Sequence, residues 1–359
     1  MRGFLMLFAG VMGFTSALRA EAVLLVSVSG EERVARFEID ETTGELVHGE
    51  GFAVNGAPGP MAISPDGRIL YVSLRSTHRV ASYRIENGGF TPLNEIDVGG
   101  SGTFIATDRT GRFLLSAYYA EGRVAVHRIE EDGTLGEEVQ TIETAKNAHC
   151  IVVDRSNRFV FVPHTGPEKI YQFFLDENTG RLSPNPAGHV DTSDSNAKHE
   201  PRHLWFHPTK NYAYVSMEAG SEMGVFRFNP ERGTLSPLSD FIPTLPSDFT
   251  GDNSTADVEL TPDGRFAYVS NRGHDSLAGF RIDATSGEAH SLKLPTTPTE
   301  STPRSFNIHP NGKWLYAAGQ GSGKMIAYRL GDDGELTPMQ TLDVGKSPAW
   351  VQVVTIPVD

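Results

Sequence analysis

The sequence contains a single cysteine, Cys150, so no disulfide bond within the chain can support its fold. This residue opens the apolar run Ile151–Val153, and we interpret its thiol as part of the core rather than as a nucleophile. Basic residues are outnumbered, because 31 lysines and arginines face 45 aspartates and glutamates, which gives a formal net charge of −14. Since nucleic acids are bound by basic surfaces, we expect no nucleic-acid partner.

Hydrophobic runs long enough to cross a membrane are missing after the first 20 residues. At the start, Arg2 precedes the apolar segment Phe4–Phe14, which is too short to span a bilayer, and small residues follow up to Ala20. We therefore expect residues 1–20 to be a signal peptide and residues 21–359 to be a periplasmic or secreted protein without membrane contact after cleavage. An uncleaved anchor or a wrongly assigned start codon are the alternatives.

Helical periodicity, linkers and low-complexity segments are also missing, whereas glycine (37) and proline (22) are frequent, as expected of a chain with many turns. One unit recurs: an apolar strand, a turn of the Pro-Asp-Gly type, a strand rich in tyrosine, phenylalanine and valine, and two further strands. The turns repeat at intervals of about 44 to 54 residues, the length of a four-stranded propeller blade. They end at Gly67, Gly111, Asn157, Asn211, Gly264 and Gly312.

The two ends of the chain together provide one more unit. Six full units cover Gly59 to Ser347, and the segment Ala22–Ala57 has outer strands but no first strand. The tail Pro348–Val354 has the pattern of a first strand without a partner. Placing the tail in the N-terminal unit predicts an all-β, seven-bladed β-propeller in one domain, with no exposed sheet edge where the ring closes.

Polar residues at the starts of first strands and at the ends of second strands should meet at one mouth of the central channel. Starts of first strands contribute His149, Arg202 and Arg304, and less clearly Asp257. Ends of second strands contribute Arg75, Tyr118, His164, Glu218, Arg272 and Gln320.

Arg202 and Glu218 belong to the same predicted hairpin and should lie opposite or nearly opposite each other. Four arginines at one mouth of an acidic protein indicate a carboxylate or phosphate ligand, because arginine binds these groups bidentately. The alternative is that the arginines pair with carboxylates and only join blades. His149 would then be a buried channel histidine, and Glu218 would neutralise Arg202.

Other motifs give weaker signals. His199, His203, His207 and His309 lack convincing zinc-ligand spacing, and we expect neither a metal nor a cofactor. The glycine-rich segment Gly319–Gly323 lies between two strands, whereas a phosphate-binding loop should open a helix, so we interpret it as a turn.

The chain resembles the bacterial 6-phosphogluconolactonase family of seven-bladed propellers, which is similar to the fungal carboxy-muconate lactonizing enzymes. The most specific match is a Pro-Arg-x-x-x-x-His-Pro phrase followed by Glu218. The matching phrases are Ser64–Val72 with Arg75, Arg79–Arg84, His149, Pro201–Pro208 with Tyr212–Tyr214 and Glu218, Thr261–Arg265 with Arg272, Pro303–Asn307 with Ala317–Gln320, and Pro348–Val351.

This resemblance implies that a lactone ring is opened or closed at the channel mouth. It implies an acid/base pair formed by His149 and Glu218 and carboxylate-binding roles for Arg202 and Arg272. Arg75 and Arg304 are expected to bind substrate too, with Gln320 and Tyr118 as further substrate-binding residues. The similar enzymes lack an obvious export signal, and phosphorylated sugar lactones are cytoplasmic, so export of this chain argues against a phosphorylated substrate.

The first hypothesis for function is hydrolysis of a small acidic lactone of the sugar-acid type, without a metal. A muconate-type cycloisomerase, which would form a lactone from an unsaturated diacid, is the second. The third is an exported propeller that binds a protein or a glycan and catalyses nothing.

Overall fold

The computed structural model describes residues 21–86, 88–195 and 197–356. The predicted signal peptide, residues 1–20, lies outside the described residues. Within these ranges, 30 β-strands form seven antiparallel sheets, and one short 3-10 helix, Ser29–Glu31, is present. None of the helices described here is long and apolar enough to cross a membrane.

The first sheet combines both ends of the chain, and the other six follow in sequence order. The first contains β1 (Glu21–Val28), β2 (Arg33–Ile39), β3 (Leu46–His48), β4 (Phe52–Ala53) and β30 (Pro348–Ile356). The second and third contain β5 (Pro58–Ile63), β6 (Ile69–Leu74), β7 (Arg79–Glu86) and β8 (Gly89–Asp97), then β9 (Gly102–Thr107), β10 (Phe113–Tyr118), β11 (Arg123–Ile129) and β12 (Leu135–Glu143). The fourth and fifth contain β13 (Val152–Val153), β14 (Phe159–His164), β15 (Lys169–Leu175) and β16 (Leu182–Asp191), then β17 (Pro201–Phe206), β18 (Tyr212–Met217), β19 (Glu222–Asn229), β20 (Thr234–Pro237) and β21 (Ile242–Pro243). The sixth and seventh contain β22 (Thr255–Leu260), β23 (Phe266–Asn271), β24 (Ser276–Ile282) and β25 (Ala289–Pro298), then β26 (Pro303–Ile308), β27 (Trp314–Gly319), β28 (Lys324–Leu330) and β29 (Leu336–Asp343).

The seven sheets form the blades of a closed ring. Contacts between successive first strands run from β5 to β9, from β17 through β22 and β26 to β30, and from β30 back to β5. At the closure, β30 pairs antiparallel with β1, with Val353 opposite Leu24, and so becomes the inner strand of the N-terminal blade. The prediction of a seven-bladed β-propeller closed by the C-terminal strand is confirmed.

The core lies between neighbouring blades rather than within them. Every residue of β6, β10, β14, β18, β23 and β27 is buried, and seven hydrophobic clusters each join two adjacent blades. This arrangement follows from the sequence, because these second strands are its most continuous aromatic and β-branched runs.

Tyrosines on the second strands add a recurring bond between blades. The Tyr214 hydroxyl donates to the Gly287 carbonyl at 2.8 Å, and Tyr268 donates to the Gly334 carbonyl at 2.5 Å. Tyr316 donates to Gly44 at 3.1 Å, across the closure of the ring. Each bond satisfies a buried phenol on one blade and fixes a turn on the next blade.

The inner edge of the fourth blade is irregular. Its first strand has only two residues, and Ala148 forms an isolated bridge to His164. The next residue, His149, donates its backbone N–H to the Pro163 carbonyl at 3.0 Å. Cys150 is fully buried, as expected for a core residue, and burial raises the pKa of its thiol to about 12.

Candidate active site

A narrow cavity lies where several first strands begin, around the start of the central channel. Its volume is about 10 Å³, close to the space that a single water molecule needs. The lining residues come from five blades besides the irregular segment that precedes β13. They are Gly59, Pro60, Arg75, Thr103, His149, Arg202, His203, Arg304, Ala349 and Trp350.

Glu218 lies between two arginines, of which Arg202 lines this cavity. The Arg272 Nη2 atom donates a hydrogen bond to Glu218 Oε1 and another to the Thr255 carbonyl at 2.9 Å. The Arg202 Nε atom lies 3.7 Å from Glu218 Oε2. Burial alone would raise the pKa of Glu218, but the Arg202 and Arg272 guanidinium groups outweigh it and hold that pKa below its usual value.

The ends of two long loops hold the backbone of Glu218. Its N–H donates to the Glu200 carbonyl at 2.8 Å, and its carbonyl accepts from Thr255 N–H at 3.1 Å. These partners end the loops before β17 and β22, so both loops reach the same end of the ring, as the sequence predicts. The backbone of Glu218 is therefore held by the end of the loop before β17 and by the start of β22, in addition to the hairpin that it follows.

Arg202 is a buried cation with few partners. It is 1% exposed, and neither its Nε nor its Nη1 atom has a hydrogen-bond acceptor among the described residues. Burial, followed by the charges of Arg272 and Arg304, lowers the pKa of Arg202. A buried guanidinium with free donors has a strong preference for an anion, because unpaired buried charge is costly.

Two further arginines surround the same space. Burial lowers the pKa of Arg304 to about 10, with further contributions from Arg272 and Arg75. Arg75 donates from Nε to the Ser101 hydroxyl at 3.2 Å, and its side chain crosses directly over Gly59. A methyl group at Gly59 would lie 2.6 Å from Arg75 Cδ, so only glycine leaves room for this path.

His149 lines the cavity with a neutral ring. It is 5% exposed, and its Nδ1 atom has no hydrogen-bond partner in the described part of the chain. Burial, followed by the charge of Arg202, lowers the pKa of His149 well below its usual value. Its ring packs edge-on against Tyr119, with 5.5 Å between ring centroids.

His203, the residue after Arg202, also lines the cavity. Its Nδ1 atom is 2.8 Å from Asp257 Oδ1, and its ring centroid is 5.1 Å from that of His149. His203 is not among the site residues predicted from the sequence, which places it only near Arg202. The alternation of side chains along a first strand would direct neighbours to opposite faces, but the register of β17 against β18 shifts between Pro201 and Leu204.

The remaining predicted residues lie elsewhere. Tyr118 is fully buried in the hydrophobic cluster between the second and third blades, and the Arg123 guanidinium lies 4.1 Å from its ring centroid. Gln320 lies in the turn after β27, where its N–H donates to the Thr302 carbonyl. His164 is buried, and its Nε2 atom lies 2.8 Å from the Thr144 hydroxyl. None of these three contributes to the cavity, and the structure does not show a substrate-binding role for Tyr118 or Gln320.

Besides His203, five lining residues were not predicted as site residues, and two of them, Trp350 and Thr103, have side chains that can contact a ligand through an indole or a hydroxyl. Trp350 belongs to β30 and Thr103 to β9, both near the start of a first strand. The prediction considered mainly charged residues and histidines at such positions, so an indole and a hydroxyl were missed. Their positions near the start of a first strand could have identified both residues from the sequence.

The channel mouth of this closed propeller joins buried arginines, histidines and a carboxylate. The family of the lactonases, described as "Lactonase, 7-bladed beta-propeller", matches residues 23–353. The chain belongs to this family.

Relatives and solved structures agree with this membership. The 6-phosphogluconolactonase of Pectobacterium carotovorum subsp. carotovorum (strain PC1) is 35% identical over 84% of this chain and 90% of its own length. That of Enterobacter sp. (strain 638) is 36% identical over 87% of this chain and 93% of its own. The periplasmic gluconolactonase of Pseudomonas aeruginosa superposes with a TM-score of 0.86 at 25% identity, over 94% of this chain and all of its own. The family resemblance and the prediction of a lactonase are thereby confirmed at the level of the family.

Proposed function

We propose that this protein hydrolyses a small lactone of the sugar-acid type whose acidic group binds the arginines at the channel mouth. One observation carries the proposal: Arg202 is buried with free donors and shares a water-sized cavity with Arg75, Arg304 and His149. With Arg272, four guanidinium groups meet here, and in the described part of the chain the carboxylates with the largest effect on Arg75, Arg202 and Arg304 are three, Glu121, Glu218 and Asp257. The local charge is therefore positive although the molecule is strongly acidic.

The size of the cavity limits how the substrate binds. About 10 Å³ accommodates a water molecule or one carbonyl oxygen but not a sugar ring. The lactone ring would lie at the mouth, with its carbonyl directed towards the cavity and its acidic group on the arginines. Buried donors placed there would stabilise the oxyanion that forms when water attacks the carbonyl.

Hydrolysis also requires one group that accepts a proton from water and one that donates a proton to the ring oxygen. His149 and Glu218 are the groups predicted from the sequence. His149 lines the cavity and is well placed for a proton transfer. Glu218 is held in ion pairs with Arg272 and Arg202, and we propose that its main task is to keep these cations in position.

We further propose that the protein acts after export, in the periplasm or outside the cell. The predicted signal ends at residue 20, and β1 begins at Glu21, so cleavage there would leave the propeller complete. A relative described as a periplasmic gluconolactonase supports this location, whereas the relatives called 6-phosphogluconolactonase support a phosphorylated substrate. An exported enzyme would have little access to phosphorylated metabolites, and we therefore favour a sugar lactone whose acidic group is a carboxylate.

The proposal predicts turnover that depends on Arg202. We would measure hydrolysis of glucono-, phosphoglucono- and muconate-type lactones by the wild type and by Arg202→Lys. Lysine keeps the charge but loses the fork geometry, so kcat/KM for an acidic lactone should fall about 10- to 100-fold. Arg227→Lys is the control, because Arg227 is exposed on β19 of the same blade.

Three outcomes would contradict the proposal. Equal activity of Arg202→Lys and the wild type would remove the anion site from the mechanism. Net lactone formation from a muconate-type diacid would favour the cycloisomerase hypothesis. Failure of the wild type to hydrolyse any member of the panel would favour a propeller that only binds.

A further inference from the structure

We propose that His203, oriented by Asp257, is the general base that activates the attacking water, and that His149 protonates the leaving ring oxygen. This inference rests on the proposed lactone hydrolysis and assigns its proton transfers. His203 would be a catalytic residue because it contacts the water, and Asp257 would be a positioning residue because it acts through His203.

The first argument is the tautomer of His203. Asp257 Oδ1 lies 2.8 Å from His203 Nδ1 and also accepts Val258 N–H at 3.0 Å, so this carboxylate oxygen is an acceptor for both. The Nδ1 atom must then carry the hydrogen, which leaves the lone pair of the ring on Nε2. Within the described ranges no hydrogen bond engages Nε2, so the basic nitrogen remains available to a molecule in the cavity.

The second argument is the rigidity of the pair. The backbone N–H of His203 donates to the Ser216 hydroxyl at 3.1 Å, and Ser216 in turn donates to the Ala256 carbonyl at 2.8 Å. This chain of bonds joins β17 to β22, the strand that carries Asp257. His203 and Asp257 are both at most 5% exposed, so their hydrogen bond forms away from bulk water, where it is strong.

The third argument is the shape of the cavity. The rings of Phe104 and Trp350 surround His203, with centroids 5.2 Å and 6.0 Å from its own, and fix the plane of the imidazole. On the remaining side lies His149, whose ring centroid is 5.1 Å away. A water-sized space lined by both imidazoles is therefore flanked by one possible base and one possible acid.

The fourth argument is the state of Glu218. Each of its two carboxylate oxygens faces an arginine, and the positive charges make the carboxylate a weaker base. It does not line the cavity, whereas His203 does. Of the two groups, only His203 combines a free lone pair with contact to the space where water fits.

The charged groups around His203 determine how basic its ring is before and after a substrate binds. Arg202 on β17 and Arg304 on β26 face it with positive charge, Asp257 on β22 faces it with negative charge, and His149 is its titratable neighbour. Burial, followed by Arg202, lowers the pKa of His203 to about 4, so the free enzyme holds it neutral at pH 7. An anionic substrate would offset the arginine charges and raise the basicity of the ring when it is needed.

The proposed steps balance without a further reactant. His203 Nε2 takes a proton from water while the water oxygen forms a bond to the lactone carbonyl carbon. The tetrahedral oxyanion is stabilised by Arg202 and Arg304. It collapses by breaking the bond from carbon to ring oxygen. That oxygen receives the proton of one His149 ring nitrogen while the other His149 nitrogen takes up, through water, the proton that His203 removed from the attacking water. The product is the open hydroxy acid, both rings are neutral again, and exchange with water returns the His149 hydrogen to its first nitrogen.

The test compares variants on whichever lactone the wild type hydrolyses. We expect His203→Gln to lower kcat about 10²- to 10⁴-fold while KM changes less than about threefold, as for loss of a general base. Asp257→Asn should lower kcat by a similar factor, because an amide can hold the wrong tautomer. Asp257→Glu, which keeps the carboxylate, should retain more activity than Asp257→Asn. In His203→Ala, free imidazole should restore part of the rate in proportion to its basic form.

Two controls define the comparison. His207→Asn changes a buried histidine in the turn at the other end of β17 and should leave kcat within about twofold. Glu218→Gln should raise KM more than it lowers kcat, because it disturbs the arginines rather than the base. A kcat of His203→Gln within threefold of the wild type, or a loss of kcat confined to Glu218→Gln, would overturn the inference.

Failure of the two proposals can be told apart. If the wild type hydrolyses no lactone of the panel, the proposed function fails and this inference fails with it. If the wild type is active and His203→Gln is equally active, only this inference fails. If His203→Gln and His203→Ala both misfold, ¹⁵N NMR spectra of the histidines in the wild type provide the test instead. We expect His203 to be neutral at pH 7 with its hydrogen on Nδ1. A hydrogen on Nε2 would contradict its role as a base.

Discussion

Arg202 is a buried cation in a strongly acidic molecule. The formal net charge is −14, whereas this guanidinium lies close enough to Arg272 and Arg304 for their charges to add to the effect of burial and lower its pKa. Glu218 is the counter-charge that makes such an assembly tolerable in the absence of a ligand. Its two arginine partners come from different blades, so the ion pairs also tie the fifth blade to the sixth.

We expect Glu218→Gln to destabilise the protein at neutral pH. Breaking this pair should lower the free energy of unfolding by about 2 to 4 kcal/mol, less than for a completely buried pair, because 19% of the Glu218 side chain is exposed. The pKa of Glu218 is lowered in the folded state, so its contribution is complete above its unfolded pKa and is lost as pH falls through the folded pKa. Urea unfolding of the wild type and the variant at pH 7 and under acidic conditions would measure both effects.

The pair formed by Arg36 and the exposed Glu38 provides the control for this prediction. Glu38 is 44% exposed and lies 2.9 Å from Arg36, so Glu38→Gln should cost no more than about 1 kcal/mol. Equal losses for the two variants, or a gap between Glu218→Gln and the wild type that does not shrink in acid, would contradict the assigned role.

At the scale of the strand and the turn, the contacts between neighbouring blades depend on glycines opposite aromatic rings. Gly287 has a φ of +76° and lies against Tyr212, whose ring atoms would be 2.6 Å from an added Cβ. Gly233, Gly334 and Gly44 lie in the same way against Phe159, Phe266 and Trp314. Each turn of one blade therefore packs flat on the second strand of the blade before it, which allows the sheets to approach closely enough to bury their second strands.

Gly287→Ala should be clearly more destabilising than Gly188→Ala. Gly188 has almost the same φ, +75°, but nothing lies within 4 Å of an added Cβ. Its substitution should therefore lower the free energy of unfolding only through backbone strain, by about 1 kcal/mol. Gly287→Ala adds a clash with the Tyr212 ring, which should cost about 1 to 3 kcal/mol more. Thermal unfolding of both variants would show the difference, and equal midpoints would mean that the turn can move away from the ring.

At the scale of the whole molecule, the C-terminal strand determines whether the ring is closed. β30 lies between β1 of its own blade and the first strands of the two neighbouring blades. It also carries Trp350 and Ala349 to the cavity, so closure and site formation depend on the same nine residues. Without β30, β1 would expose an apolar strand edge.

Removal of residues 348–359 should therefore abolish both solubility and activity. A shortened chain with an open edge is expected to aggregate, because unpaired strand edges accept other chains. A synthetic peptide of residues 348–356, added during refolding, should restore soluble protein by pairing with β1, whereas a peptide with the same composition in scrambled order should not. A soluble and active shortened chain would show that the ring tolerates an open blade.

The propeller could be predicted from the sequence because its signals are local and repeated. The repeat in the sequence predicts third strands at Val80–Ile85 and Met325–Leu330, and the structure has these two strands at Arg79–Glu86 and Lys324–Leu330. Alternation of side chains and a turn in every unit are properties of short segments, and six repetitions of them specify a ring. The short strand β3 was missed because three residues carry too little pattern.

Which residues form the site depended on the directions of their side chains, and only the folded ring defines these directions. The position of a residue in its repeat was enough to bring Arg75, His149, Arg202 and Arg304 to one mouth. It was not enough to show that Tyr118 points into a core between blades or that His203 pairs with Asp257. These outcomes follow from a shift in strand register and from contacts between residues some 50 positions apart. The order of amino acids therefore specifies where each blade begins and turns, and packing between blades decides which side chains share the cavity.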